Sequence, residues 1–388
     1  MKILHTGDWH VGKVLRGRAR HDEHEAVLNE IVAVADRERV DIAVVAGDLY
    51  ESSVPPAAAQ ALVWKTLLAL RETGAEVVVI AGNHDDPAAF DALRPLAAAA
   101  GLRVLGRPAR AADGGVIELT VSSNESARVV CLPFVTQRSI VKADLLMSGD
   151  AAEATQTYDD RLRRIVANLT DTFTTDAVNV VVAHATVRGG RLGGGERDAQ
   201  TVFDYQVGAH AFPASASYVA LGHLHRCQSL PAACPVWYSG SPLAVDFGEE
   251  GDTKGVVVVN AEAGQPARTR AVPIVAAREL RTIRGRLDEL TALDTGDALL
   301  RVIVTEPARA GLADEVRRRF PEALDVRVEA PASDAWPALT RPTARSPRGL
   351  FDAFLAEQQI DDARLGALFD TLLDELTTGL DEITTGSP

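Results

Sequence analysis

Five short segments of this 388-residue chain carry side chains able to bind metal ions: Asp8-Trp9-His10, Gly47-Asp48, Gly82-Asn83-His84-Asp85, His184 and Gly222-His223-Leu224-His225. They hold five of the nine histidines; the others (His5, His21, His24 and His210) do not share the pattern. Neutral imidazole suits transition metals, while carboxylate and amide oxygens suit harder ions such as Mn²⁺. A mixed His/Asp/Asn set without thiolates argues against structural zinc. The set offers more donors than one ion can use, which predicts two ions about 3.5–4 Å apart sharing a bridging carboxylate. Two such cations clamp a phosphate, activate water and stabilise the oxyanion that develops. Glycines beside the ligands allow tight turns where backbone approaches the metals. Taken singly, each segment has an ordinary explanation: an aspartate capping a turn, a chance H-x-H, a satisfied core histidine at His184. Their joint occurrence, each behind a predicted strand, is what points to metal.

The elements that must position these segments read as an α/β protein. Lys2–Thr6 is a predicted strand, Glu23–Arg39 an amphipathic helix and Asp41–Ala46 a buried strand. Val54–Thr73 reads as helix after Pro55-Pro56, and Glu76–Ala81 as another buried strand. This alternation predicts a mainly parallel sheet, whose strand carboxyl ends converge on one edge and bring distant segments together there. Strand-like runs follow at Gly115–Val121, Arg128–Phe134, Val178–Ala185, Tyr218–Leu221, Val236–Ser239 and Gly255–Asn260, with a helix at Tyr158–Phe173. That surplus of strands predicts two packed sheets flanked by helices. Beyond Pro273 a strand–helix–strand–helix–strand pattern predicts a small separate α/β unit. Ala330–Pro347 has the Pro/Ser/Ala composition of a linker. In the helical tail Leu350–Ile383, Leu365, Leu368, Phe369, Leu372, Leu376 and Ile383 keep helical spacing against strongly acidic faces. The expected division is therefore 1–273, 274–330, 331–347 and 348–388.

The ordered set DWH, GD, GNHD, H and GHLH resembles the calcineurin-like metallophosphoesterase superfamily. More closely, HTGDWHVG, VAGDLYESSVPP, IAGNHDDP, YVALGHLHR and YSGSPLAVDFGE resemble the SbcD family, nuclease subunits that work with the ATPase SbcC in bacterial double-strand-break processing. The likeness spans nearly the whole chain. It implies a four-layer α/β/β/α sandwich, a small α/β capping domain that selects DNA shape, and a helical tail. It implies that Asp8, His10 and His225 hold one metal, that Asn83, His184 and His223 hold the other, and that Asp48 bridges them. His84 becomes the catalytic histidine at the scissile phosphate, with Asp85 orienting it. The family's ions are typically Mn²⁺, with Mg²⁺ the alternative. Its activity is 3′→5′ exonuclease and endonuclease cutting of DNA ends and hairpins, gated by an SbcC-type ATPase in a heterotetramer containing two nuclease subunits. Some relatives carry a histidine where this chain has Glu51, so the resemblance carries over no phosphate contact at that position and leaves the role of Glu51 open.

Composition constrains this reading. A net charge of -14 means that any grip on DNA must be local, cation-borne or lent by a partner. Lys13, Arg16, Arg18 and Arg20, in the loop after the first metal segment, are the candidate backbone contacts, with Arg188 and Arg191 as weaker ones. Trp9 and Cys227 read as packing, and Gly240-Ser241-Pro242 as a supporting turn. The tail's apolar stripe reads as a dock for the partner's coiled-coil base. Three cysteines without a C-x-x-C pair fit a reducing cytoplasm, near the nucleoid for a DNA enzyme. The N-terminus lacks an apolar signal region, and no run reaches the ~20 apolar residues of a membrane span. Two rival functions share these residues: a different calcineurin-like phosphodiesterase or phosphatase, and a non-catalytic DNA- or partner-binding subunit.

Overall fold

The computed structural model describes residues 1–148, 157–196 and 206–329, together with 351, 355, 364–366 and 368–369. The chain begins with β1 (Lys2–Thr6), a hairpin of β2 (Val14–Leu15) and β3 (Arg18–Ala19), α1 (His21–Glu38), β4 (Ile42–Val45) and α2 (Ala57–Glu72). Next come β5 (Glu76–Ile80), α3 (Pro87–Ala99), β6 (Leu102–Leu105), β7 (Val116–Thr120), β8 (Ser126–Leu132), α4 (Gln137–Ser148) and α5 (Tyr158–Thr170). The second half adds β9 (Val178–His184), β10 (Thr186–Val187), β11 (Gln206–Val207), β12 (Tyr218–Gly222), β13 (Gln228–Leu230), β14 (Val236–Tyr238), β15 (Gly255–Asn260) and β16 (Arg268–Pro273). Last are β17 (Leu280–Gly285), α6 (Leu287–Thr291), β18 (Leu299–Val304), α7 (Leu312–Arg319) and β19 (Ala323–Val328).

Two six-stranded sheets form the body, ordered β16-β15-β1-β4-β5-β6 and β13-β14-β12-β9-β8-β7. The first is parallel from β1 to β6 with antiparallel β15 and β16 at one margin, and the second has a parallel centre with an antiparallel strand at each margin. Period-two alternation explains the layering. Leu4, Val45 and Val79 pack with Val27, Ile31, Val63 and Leu67 of α1 and α2, while their neighbours Ile3, Val44, Val78 and Ile80 meet Val129, Val180, Val182 and Ala220 of the second sheet. That sheet turns Val130, Val181, Val219 and Leu221 toward Leu162, Ile165 and Val166 of α5. Both faces of the central strands are therefore buried, which is why they read as unbroken apolar runs. The result is the expected four-layer α/β/β/α sandwich. The sequence pattern did not reveal α3, β6 or α4; α3 starts at Pro87 behind the capping side chain of Asp86, and Pro95 within it masks its helical character.

Strands β17, β18 and β19 make a parallel three-stranded sheet covered by α6 and α7, with its own core of Ile283, Leu290, Leu300, Val302, Val316 and Phe320. It belongs to the same compact unit as the sandwich, Met1–Ala330, and Leu280 and Leu299 pack on Leu15 and Phe247. Pro331–Pro388 forms a second unit. Within it Leu365, Leu368 and Phe369 lie in helical backbone, while Leu372, Leu376, Ile383 and the expected linker lie outside the described residues. Among the described residues no helix is long and apolar enough to cross a membrane.

Candidate metal centre

Strands β1, β4 and β5 of one sheet, and β9 and β12 of the other, deliver the five segments to one rim. Asp8, His10 and His225 bring one donor atom each within 4.8 Å of one another; His10, Asp48 and His84 do the same, as do Asp48, His184 and His223. His10 and Asp48 each belong to two of these groups, so the three merge into one cluster. Asn83 joins it: its Oδ1 lies 2.8 Å from His184 Nε2 and 2.7 Å from His223 Nδ1. The seven residues nominated as ligands thus stand together, and the six that are Asp or His are all buried.

The local backbone is bent to achieve this. Asp8, His10, Asp48 and His223 have φ of 51°, 48°, 52° and 104°, in the left-handed region that costs a non-glycine residue about 1–3 kcal/mol. Four such residues in one cluster mark a place where side-chain direction outweighs backbone comfort. Two glycines are required by close approach. A Cβ on Gly82 would lie 2.1 Å from Asp48 Oδ1, and one on Gly222 would lie 2.0 Å from the Ala46 carbonyl oxygen. Backbone bonds from Asp8 N to Gly47 O (2.9 Å) and His10 N to Asp48 O (3.1 Å) zip the first two loops together. Asp8 then receives the His223 amide at 2.9 Å, tying the first sheet's loop to the second's.

Burial dominates the electrostatics. It pushes Asp8 up to about 7 against the pull of His184 and His225, and it brings His10 down to about 4 and His223 to about 3. His184 is the exception: burial lowers it, but Asp48 outweighs that and leaves it at about 9. Asp48, although buried, is held well below the usual carboxylate range by His184, His10 and His84.

The donor set fits divalent cations. His10 Nε2 and His225 Nε2 face each other at 3.0 Å. Two imidazole nitrogens bound at right angles to one ion, each at about 2.1 Å, would stand about 3 Å apart. His223 Nε2 is buried without a hydrogen-bond partner. Buried nitrogens arranged like this are costly unless something accepts their lone pairs.

Several expectations need correction. Asp85 does not orient the His84 ring. Its carboxylate accepts the amides of Gly82 (2.8 Å), Tyr50 (3.1 Å) and Leu49 (3.3 Å), bracing the loops that carry Asp48 and His84, while His84 Nδ1 lies 2.7 Å from the Glu51 carbonyl. Arg20 cannot reach DNA: it is 1% exposed, chelates Glu23 at 3.0 and 2.7 Å and donates to the Ala244 carbonyl. Arg18 is paired with Glu322 at 2.7 Å and Arg16 faces Asp325 at 3.8 Å, so this hairpin binds the three-stranded unit. Lys13 is paired with Glu51 at 2.9 Å, and Arg188 with Asp159 at 2.8 Å. The charge-rich loop was legible in the sequence; Glu51, Asp325 and Glu322, which neutralise Lys13, Arg16 and Arg18, were not, because they come from elsewhere in the chain. Trp9 is packing as expected, fully buried with Nε1 donating to Thr6 Oγ1.

Sequence reasoning missed the residues behind the ligands. Glu249 meets His225 Nδ1 at 2.8 Å, and Glu196 accepts the amides of Gly193, Gly194 and His225. The stretch Ser241–Glu249 stood out only as a motif, although a buried carboxylate so close to a histidine pair is the signal that could have found it. Gly240-Ser241 is the supporting turn expected, with Ser241 N bonded to the His225 carbonyl at 3.1 Å.

Residues 1–227 match the calcineurin-like phosphoesterase family. The chain is 38% identical over 282 residues to the D component of the SbcCD nuclease of Bacillus subtilis (strain 168), covering 72% of this chain and 71% of that protein. It is 32% identical over 284 residues to the component of the same name in Rhodobacter capsulatus, with 71% and 69% covered. To that of Escherichia coli (strain K12) it is 29% identical over 310 residues, with 75% and 73% covered.

Proposed function

This chain belongs to the calcineurin-like phosphoesterases and, within them, to the D components of SbcCD nucleases, and from that premise we propose how it cuts DNA. Asp8, His10 and His225 would hold one divalent cation and Asn83, His184 and His223 a second, with the Asp48 carboxylate available to both. The carrying observation is that the three donor groups overlap through His10 and Asp48. Mn²⁺ suits this mixture of imidazole and oxygen donors, with Mg²⁺ the harder alternative. When bound, such ions lower the pKa of water and neutralise charge on a phosphodiester.

The chain's own groups do the rest. Asp48 Oδ2 faces His10 Nε2 at 3.9 Å and His184 Nε2 at 3.4 Å, so one carboxylate stands against both halves of the site, while its Oδ1 accepts the His84 amide at 2.7 Å. His84 donates from Nδ1 to the Glu51 carbonyl. In the neutral ring the proton therefore sits on Nδ1. Protonation at Nε2 makes the ring a donor to a phosphate or leaving oxygen. Asp85 holds His84 in place through the backbone. Residues 274–330 act as the cap, fastened to the hairpin behind Asp8 and His10 by Arg18–Glu322 and Arg16–Asp325.

The activity we propose is 3′→5′ exonuclease and endonuclease cutting of duplex ends and hairpins, in the cytoplasm at the nucleoid. The partner is an SbcC-type ATPase that receives the C-terminal tail and supplies the DNA affinity this acidic chain lacks, in a complex holding two copies of the chain. Lys13, paired with Glu51 beside His10, and Arg16, in the hairpin that follows it, are the proposed local contacts to the DNA backbone. Hydrolysis of linear and hairpin duplexes in Mn²⁺ against Mg²⁺, with and without the ATPase, tests this. Cleavage of cyclic nucleotides with no cleavage of DNA would overturn it.

A further inference from the structure

Two Lys–Glu–His chains converge on the paired imidazoles. On one side Lys13 Nζ lies 2.9 Å from Glu51 Oε1, and Glu51 Oε2 lies 3.2 Å from His10 Nδ1. On the other, Lys254 Nζ lies 2.5 Å from Glu249 Oε2, and Glu249 Oε1 lies 2.8 Å from His225 Nδ1. The outer nitrogens of both rings thus stand beside carboxylates, hydrogen-bonded at His225 and within ion-pair distance at His10, and their inner Nε2 atoms stand 3.0 Å apart. At His225 the carboxylate only accepts, so it keeps the proton on Nδ1 and leaves the Nε2 lone pair for a cation; at His10 the negative charge 3.2 Å from Nδ1 favours the same tautomer. The other cluster is backed differently. His184 Nδ1 lies 2.7 Å from the Ala46 carbonyl, a neutral acceptor.

We propose that Glu51 and Glu249, each anchored by a lysine, are positioning residues that make the Asp8–His10–His225 site the tighter of the two cation sites. The inference rests on the two-cation reading above. A carboxylate behind an imidazole fixes its tautomer and ring angle and raises its donor strength; a carbonyl fixes the tautomer with less charge. The two anchors differ in setting. Glu249 is 1% exposed, and its carboxylate also receives Ser241 Oγ at 3.1 Å and the Val245 amide at 3.2 Å. Lys254 binds the His225 carbonyl as well, at 3.1 Å, so this side is built into the fold. Glu51 is partly exposed; its side chain pairs with Lys13 and stands 3.2 Å from His10.

Calorimetric titration of the full chain with MnCl₂, paired with electron paramagnetic resonance of the bound manganese, provides the test. The wild type is expected to show two classes of site, with an exchange-coupled pair at saturation. Glu51→Gln and Glu51→Ala should weaken the tighter class by roughly 10–100-fold and leave the weaker class unchanged. At limiting manganese they should give the six-line spectrum of isolated ions. The Tm of the metal-free protein should stay at the wild-type value, which separates positioning from a general loss of structure. Glu249→Gln should act the same way; because Glu249 also braces a turn, Glu51 is the deciding position. If both Glu51 variants bind manganese in two classes with wild-type affinities, the inference is overturned while the two-cation reading stands. A wild-type chain that binds no manganese overturns both.

Discussion

Replacing His84 by alanine should abolish cleavage and leave the cations in place. The structure supplies both halves of this expectation. What His84 gives the ligand set comes from its backbone, whose N–H donates to Asp48 Oδ1 at 2.7 Å, and alanine keeps that bond. What it gives the chemistry comes from a ring that is 6% exposed, held by the Glu51 carbonyl at 2.7 Å and set edge-on to His10 at 4.7 Å. A positioned proton donor contributes about 10²–10⁴ in rate. At about 1.36 kcal/mol per decade, its loss raises the barrier by about 3–5 kcal/mol. Stability should fall by about 1–3 kcal/mol, because the Glu51 carbonyl loses its buried partner. The assay is turnover of linear duplex in Mn²⁺ beside manganese content by elemental analysis after desalting. The ring also lies close enough to His10 and Asp48 to share an ion with them. The refuting result is therefore specific: a variant that has lost manganese in step with activity would make His84 a ligand, and the assigned role would fall.

Four further outcomes are expected. Asp48→Ala should release both cations, since Asp48 faces His10 at 3.9 Å and His184 at 3.4 Å; retention of one ion at wild-type affinity would contradict the bridge. Manganese affinity should drop as pH falls through about 9 and again through about 7, because His184 and Asp8 must shed protons to bind. Both pKa values are raised. Their contribution to metal-free stability is therefore complete below the unfolded values of 6.5 and 3.8 and lost as pH rises through about 9 and 7. A flat affinity from pH 6 to 9, with no proton release on titration in buffers of different ionisation enthalpy, would oppose this. Tyr218→Phe should cost about 1–3 kcal/mol in urea unfolding, because Tyr218 Oη is the 2.8 Å donor to buried His5 Nδ1, a bond that ties β12 to β1 beneath the site; a loss under about 0.5 kcal/mol would leave that tie without weight. Truncation before Ser346 should abolish association with the ATPase in a pull-down and spare metal binding, and a surviving complex would remove the docking role of the tail.

The ligands were legible in the sequence because metal chemistry restricts residue type. Asp8, His10, Asp48, Asn83, His184, His223 and His225 could be picked out by identity and by their place behind apolar runs, and the parallel sheets needed only the same runs to be inferred. Strand ends converge by topology, so local sequence implied a distant meeting. What only the tertiary structure decided is how charges pair across the fold. Arg18 and Lys13 look alike in the sequence, yet one is paired with Glu322 of the three-stranded unit and the other borders the site on Glu51. Glu249 gained its place behind His225, and Asp85 exchanged a ring for three amides, through contacts with residues far away or on neighbouring loops. An ion pair takes whichever opposite charge the folded chain brings within reach, and no local pattern encodes which one that will be.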